Sequence, residues 1–185
     1  MESSNKLQNT YLHIFSSLNE TSTFFCLFTV GYLVPFLLGG PQIVLGSIVN
    51  ATLVVSALKL KRTELILPLL LAPSLGAISR GVVFGPLTPY LLMMVPAIWL
   101  GNAILVFGMR KFASLKKGEE KKYWITLGAS VSLKTLFLFG TSAVLVGIGL
   151  LPQVFLVSMG AIQLFTAAIG GICAYVALKA AMRFE

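Results

Sequence analysis

Acidic residues are scarce in this chain of 185 residues. It contains no aspartate, and its glutamates all lie in the tails or in connections between apolar runs, at Glu2, Glu20, Glu64, Glu119, Glu120 and Glu185. Transporters that are driven by protons or sodium ions commonly carry carboxylates inside their membrane spans. The sequence therefore argues against a pump that couples transport to an ion gradient by itself.

Histidine and cysteine are scarce as well. The chain has one histidine, His13, and two cysteines, Cys26 and Cys173. A metal site needs several His, Cys, Asp or Glu side chains that converge on one point, and general acid–base catalysis draws on the same residue types. We therefore predict no metal site, no cofactor and no enzymatic activity, and we expect both thiols to be unpaired packing residues.

Long apolar runs are abundant, because 57% of the residues are hydrophobic, only 11% are charged, and the mean hydropathy is +0.91. This composition is typical of membrane proteins. The runs are continuous rather than alternating, which favours helices over a membrane β-barrel. We predict an all-α, polytopic integral membrane protein, a compact bundle of six transmembrane helices within residues 23–182. The runs cover residues 23–38, 43–58, 65–78, 89–107, a fifth from beyond 123 to near 151, and 154–178.

Residues 1–22 precede the first run and are mostly polar. We predict a cytoplasmic N-terminal segment there. Its apolar residues recur at helical spacing, which indicates a short helix at the membrane interface, and a frayed tail is the alternative. These residues are Leu7, Tyr11, Ile14, Phe15 and Leu18.

The basic residues are distributed unevenly. All of them except Arg80 and Lys134 fall on one side of a six-helix weave, in the tails, between runs two and three, or between runs four and five. Lysine and arginine concentrate on the cytoplasmic side of membrane proteins. Both termini are therefore predicted to be cytoplasmic. The net charge of +8 then reflects topology and not nucleic-acid binding, since no nucleic-acid-binding motif accompanies it.

A few polar residues interrupt the runs. Asn50 and Asn102 are predicted either to join neighbouring helices by hydrogen bonds or to contact a ligand. Lys134 either snorkels to the cytoplasmic interface, which the sequence slightly favours, or faces the interior of the bundle. The small residues of "MGAIQLFTAAIGGICA" in run six predict close helix packing, either within the bundle or against a partner.

The stretch "RGVVFGPLTP" places Arg80 alone among the basic residues on the external side. We interpret it as a residue at the mouth of a binding site, with an anchor to lipid phosphate as the alternative. Ligand sites form where polar groups converge in a mainly apolar cavity. An aromatic wall with one cation and several amides would suit a small planar, anionic or zwitterionic metabolite. The predicted binding residues are Arg80, Thr88, Tyr90, Trp99, Asn102, Gln42, Ser47, Gln153, Asn50 and Lys134.

The architecture resembles the substrate-capture S components of energy-coupling-factor (ECF) vitamin transporters. The stretches "RGVVFGPLTPYLLMMVPAIWLGNAILV" and "LPQVFLVSMGAIQLFTAAIGG" are similar in character to the middle and final helices of those proteins. The resemblance implies a binding subunit for a vitamin or other micronutrient in a prokaryotic cytoplasmic membrane. It also implies an ECF-type transmembrane subunit and an ATPase pair as partners.

One feature departs from that family. Many S components dock through alanines spaced along helix one, whereas this run reads "TFFCLFTVGYLVPFLLGG" and is bulky apart from its glycines. A docking surface on helix six is then one alternative. Another is a different class of protein, a membrane subunit of an electron-carrier or assembly complex.

Overall fold

The computed structural model of the chain describes residues 2–38, 41–80 and 87–182, with side chains from Asn19 onward. These residues form six helices and no strand, so the predicted all-α class is confirmed. We number the helices α1 to α6 along the chain. Their bounds are Glu2–Leu37, Gln42–Lys59, Ile66–Arg80, Thr88–Phe112, Glu120–Gly147 and Val154–Ala181.

Five of these helices contain a stretch long and apolar enough to cross a membrane. They are Asn19–Leu37 within α1, and α2, α4, α5 and α6 in full. The third helix, α3, has only 15 residues, so the prediction of six spanning helices is supported for five. A 3₁₀ turn at Thr63–Leu65 leads directly into α3. At rises of about 2.0 Å and 1.5 Å per residue, the two together extend about 28 Å.

Contacts at both ends of α3 show that it runs the length of the bundle. Near its start, the Arg110 guanidinium at the end of α4 donates to the carbonyl oxygen of Leu60 at 2.8 Å. At its finish, Arg80 donates to the carbonyl oxygen of Leu37 at 2.6 Å, at the end of α1. The short helix therefore connects the same two ends of the bundle as its longer neighbours do.

Most basic residues gather at one end of the bundle, which we call the basic end. The Glu20 carboxylate accepts hydrogen bonds there from the backbone N–H groups of Lys61 and Arg62, at 2.6 and 2.7 Å. The Lys179 ammonium, near the end of α6, lies 3.1 Å from the carboxylate of Glu120. Together with the bond from Arg110 to Leu60, these contacts join α1 and α4 to the α2–α3 connection, and the last turn of α6 to the start of α5. We call the opposite end the Arg80 end.

The connection from α4 to α5 is held by a local ion pair. The Lys122 ammonium and the Ser114 hydroxyl both donate to the Glu119 carboxylate, at 2.8 and 2.7 Å. These two donors hold the pKa of Glu119 below its usual range. The carboxylate therefore stays ionised to a lower pH than that of an isolated glutamate.

The predicted boundary at residue 22 lies inside α1, which continues from Glu2 to Leu37. The apolar stripe predicted at Leu7, Tyr11, Ile14, Phe15 and Leu18 lies outside the described side chains. Its interfacial position and the cytoplasmic location of this segment stay predictions.

Two apolar clusters fill the core. The first lies toward the basic end and includes Leu53, Leu105 and Tyr123. The second lies toward the Arg80 end and includes Met94 and Leu138. On α4, α5 and α6, which contribute to both clusters, a polar side chain lies between them, at Asn102, Lys134 and Gln163. That polar layer is where the candidate site lies.

The small residues of α6 pack inside the bundle. A Cβ atom added at Gly170 would lie 2.7 Å from the backbone oxygen of Ser47 and 2.7 Å from the backbone nitrogen of Ala51. One added at Gly171 would lie 2.3 Å from Leu127. Glycine thus allows α6 to approach α2 and α5 closely. Of the two alternatives raised by the sequence, these two glycines serve packing within the bundle.

Candidate functional site

Lys134 lies at the middle of the bundle, and its side chain is only 2% exposed. The ammonium donates to the amide oxygen of Asn50 on α2 at 2.6 Å and to that of Asn102 on α4 at 2.9 Å. Three helices that are distant in sequence therefore meet at one cation. The expectation that Lys134 snorkels to the interface is wrong, and the interior alternative holds.

The amides of this lysine–amide cluster (Lys134, Asn50 and Asn102) are oriented by further bonds. The Asn50 amide nitrogen donates to the carbonyl oxygen of Gly46 at 2.8 Å and contacts the hydroxyl of Thr166 on α6 at 3.4 Å. The Asn102 amide nitrogen lies 3.4 Å from the carbonyl oxygen of Leu70 on α3. Both amides therefore point their oxygens at Lys134.

A cavity of about 340 Å³ lies beside the cluster, and all six helices contribute to its wall. The residues from α1, α2 and α3 come from the parts of those helices nearest the Arg80 end. The cavity therefore extends from the lysine–amide cluster toward that end. Its lining is mainly apolar, as is usual for small-molecule sites. The lining residues are Pro35, Gln42, Leu45, Gly46, Val49, Asn50, Pro73, Ser74, Ala77, Leu91, Val95, Ile98, Asn102, Lys134, Met159 and Gln163.

The cavity has one cation and, among the described residues, no acid to balance it. Both bonds of Lys134 in the structure go to neutral amide oxygens. An ammonium has three protons to donate, and an ionised group in an apolar interior is costly unless it is paired. When it is protonated, Lys134 therefore has one further proton to donate and a positive charge that no described acid of the wall balances.

Gln163 and Met159 belong to the wall but not to the predicted site. Met159 lies within a π-helical turn of α6, Ser158–Ile162, and Gln163 directly follows that turn. Such π turns are often found at functional sites. The side-chain oxygen of Gln163 is buried and has no hydrogen-bond partner among the described residues. Gln163 could have been identified in the sequence, because it is a glutamine within an apolar run. The π turn could not be predicted, because no residue type or spacing within Ser158–Ile162 is specific to such turns.

Arg80 is not part of the cavity wall. Its guanidinium donates to the carbonyl oxygens of Phe36 and Leu37, at 3.3 and 2.6 Å. The last carbonyl groups of a helix have no partner within the helix, and a basic side chain there satisfies them and favours the negative end of the helix dipole. Arg80 therefore caps the C-terminus of α1. The structure gives Arg80 this capping contact, and its roles at the mouth of a binding site or as a lipid anchor stay predictions.

The other predicted residues divide into two groups. Gln42, Asn50, Asn102 and Lys134 lie in the wall of the cavity. The second group lies elsewhere. Ser47 lines a separate groove and donates to the carbonyl oxygen of Ile43 at 2.7 Å. The described wall of the cavity does not include the other four predicted residues, Thr88, Tyr90, Trp99 and Gln153.

The predicted aromatic wall is also absent from the described lining of the cavity, which consists of aliphatic, small and amide side chains with Lys134. Tyr90 packs edge-on against Phe155 instead, with ring centroids 6.4 Å apart. Trp99 has a buried indole N–H without a partner in the described part of the chain. Stacking with a planar ligand therefore has no support in this cavity.

Comparison with protein-family models, with curated proteins and with solved structures finds no match to this chain. In the described residues, no three His, Cys, Asp or Glu side chains lie close enough together to hold a metal ion. The functional assignment therefore rests on the geometry of the cavity.

Proposed function

We propose that this chain is a membrane-embedded binding subunit of an ATP-driven importer of the ECF type, and that it captures a small vitamin-like or other micronutrient metabolite. The observation that carries the proposal is the cavity that ends on the lysine–amide cluster. A buried cation whose partners are neutral is expensive to keep in an apolar bundle. Because the cation lies at the wall of a cavity of ligand size, we attribute the retention of this costly charge to ligand binding.

The distribution of charge supports an orientation for the proposed subunit. The basic end would face the cytoplasm of a prokaryotic cell, in keeping with the preference of lysine and arginine for that side. All six helices would cross the membrane, α3 with the help of its 3₁₀ turn, and both termini would be cytoplasmic. The cavity would then lie in the external half of the bundle, where a captured nutrient must enter.

The source of energy in this proposal is a partner. No carboxylate lies in the described wall of the cavity, so ion coupling through that wall has no residue to carry it. A shared transmembrane subunit and two ATPases would supply the driving force. Because Gly170 and Gly171 pack against α2 and α5, the partner would dock on another surface than these two glycines.

We expect uptake of the captured metabolite by intact cells to survive collapse of the proton and sodium gradients when ATP is held constant. The metabolite is first identified by mass spectrometry of small molecules released from the gently purified protein. The same preparation should contain an ATPase pair. Uptake by this chain alone in liposomes, driven by an imposed ion gradient, would rule out the capture subunit. Partners with bound haem, flavin or quinone would favour the electron-carrier alternative.

We also expect the two ends of the bundle to lie on opposite sides of the membrane. In a variant with Cys26 and Cys173 replaced by serine, single cysteines at Lys117 and at Gln153 should react with an impermeant thiol reagent from opposite sides. Both positions are exposed, one at the basic end and one just before α6. A parent variant without cysteine controls for background labelling. Labelling of both positions from one side would overturn the proposed orientation.

A further inference from the structure

We infer that the ligand is a small monoanion with an aliphatic body, and that its anionic group, a carboxylate in the simplest case, binds the ammonium of Lys134. This inference rests on the proposed binding function and names the chemistry of the ligand. It also moves the anion-binding role from Arg80 to Lys134.

The balance of charge in the site favours a ligand that is a monoanion. The described wall contains one cation and no acid, so a bound monoanion would make the site neutral, whereas a cation would add a second buried positive charge. A dianion would leave one negative charge unpaired in an apolar bundle. The described site is therefore neutralised by a ligand with a single negative charge.

The geometry of the hydrogen-bond donors favours a carboxylate. Lys134 uses two of its three protons to donate hydrogen bonds to Asn50 and Asn102, at 2.6 and 2.9 Å. The third proton stays available. The amide nitrogens of both asparagines point toward the backbone carbonyls of Gly46 and Leu70. One charge-assisted hydrogen bond is thus available, which is stronger than a bond between neutral groups. The other polar side chains of the wall outside the cluster, Gln42, Ser74 and Gln163, are neutral, so the site offers one charged donor, which suits a carboxylate better than a doubly charged phosphate monoester.

The rest of the wall favours a ligand with an aliphatic body. Beyond the cluster it is formed largely by aliphatic residues such as Val95, Ile98 and Met159, and it has no described aromatic side chain. A volume of about 340 Å³ equals roughly ten water molecules at about 30 Å³ each. The body of the ligand should therefore be aliphatic and comprise on the order of ten non-hydrogen atoms.

The test uses the full chain in lipid nanodiscs at neutral pH with sodium sulfate as the salt. The probes are straight-chain monocarboxylates from butyrate to dodecanoate, and the primary amide of each, which matches it in length and lacks the charge. We expect the best carboxylate, near eight to ten non-hydrogen atoms, to bind at least tenfold more tightly than its amide, as measured by calorimetry.

Lys134→Met introduces an unbranched side chain that is one atom shorter and carries no charge, so it should abolish the preference for the carboxylate. Lys111→Met makes the same change at an exposed position of the basic end and should leave the preference intact. The comparison of carboxylate with amide in the unmodified protein needs no variant, so it decides the matter even if Lys134→Met does not fold.

Equal affinity for acid and amide, or a preference that persists in Lys134→Met, would overturn the inference. Stabilisation by chloride alone, with no dependence on chain length, would overturn it too and would indicate a site for an inorganic anion. These results are separate from the proposed importer. A chain that selects carboxylates through Lys134 but co-purifies with no ATPase would keep the inference and refute the importer, and the reverse result would do the opposite.

Discussion

Replacing Asn50 and Asn102 together by leucine, with Lys134 retained, is expected to lower the free energy of unfolding by about 3 kcal/mol. The two amide oxygens are the partners that the structure gives to the Lys134 ammonium. Without them a side chain that is only 2% exposed would be left in an apolar core. Removing one side of a buried polar pair costs more than removing both, because the remaining group is left unsatisfied. Titration of the protein in mild detergent with SDS measures the change.

The matched control adds Lys134→Met to the same two substitutions. This triple variant replaces the whole cluster by apolar side chains, and exchanges of this kind are often neutral or stabilising. We expect it to recover most of the lost stability. If the triple variant is as unstable as the double variant, the loss comes from overpacking by the leucines and not from the unpaired ammonium.

Gly76→Ala is expected to destabilise the protein by about 2 kcal/mol, the middle of the range for an overpacked core. Gly76 is buried on α3, where a Cβ atom would lie 2.1 Å from the carbonyl oxygen of Tyr32 on α1 and 3.0 Å from its carbonyl carbon. Backbone atoms cannot rotate away as a flexible side chain can. The two helices would have to separate, so their extensive contact would be loosened along its length.

Gly140→Ala provides the comparison for Gly76→Ala. Gly140 lies within α5, and a Cβ atom added there would meet nothing within 4 Å. Alanine favours a helix over glycine by roughly 1 kcal/mol, so this variant should be as stable as the unmodified protein or more so. Thermal unfolding of both variants in the same detergent measures the difference. Equal losses at the two positions would show that the close approach of α3 to α1 does not limit stability.

The helices could be predicted from the sequence because each apolar run is an independent, local signal. A stretch of about 20 apolar residues forms a helix in lipid whatever lies beside it. The sequence also indicated which basic residues share one end, since the order of the runs determines this. It placed the third run at residues 65–78, close to the observed Ile66–Arg80, but its apolar composition does not reveal the 3₁₀ turn at Thr63–Leu65 that precedes the helix.

The site could be predicted only in part, because it depends on contacts between distant residues. Asn50, Asn102 and Lys134 were each visible as polar residues in apolar runs. Their convergence depends on the rotation of α2, α4 and α5 about their axes, which a run without strong polar periodicity does not specify. The capping contact of Arg80 could not be predicted for the same reason. Its partner, the carbonyl oxygen of Leu37, is 43 residues away in sequence, and no sequence pattern marks an unsatisfied carbonyl.

Trp99 and Tyr90 show a different difficulty. An aromatic residue in an apolar run is as compatible with packing between helices as with a binding wall. The structure places Tyr90 against Phe155 and leaves both aromatic residues out of the described lining of the cavity. Residue type alone could not distinguish these positions, since aromatic side chains contribute similarly to cores and to ligand sites.

The unequal lengths of the helices have a consequence for the lipid around the proposed membrane protein. At about 1.5 Å per residue, the 28 residues of α5 and of α6 extend about 42 Å, against a hydrocarbon thickness of about 30 Å. The path through α3 is only about 28 Å long. Long helices relieve hydrophobic mismatch by tilting, and a short one by thinning the bilayer beside it. The annulus of lipid would therefore be thinnest along α3, which would adapt the protein to membranes with shorter acyl chains.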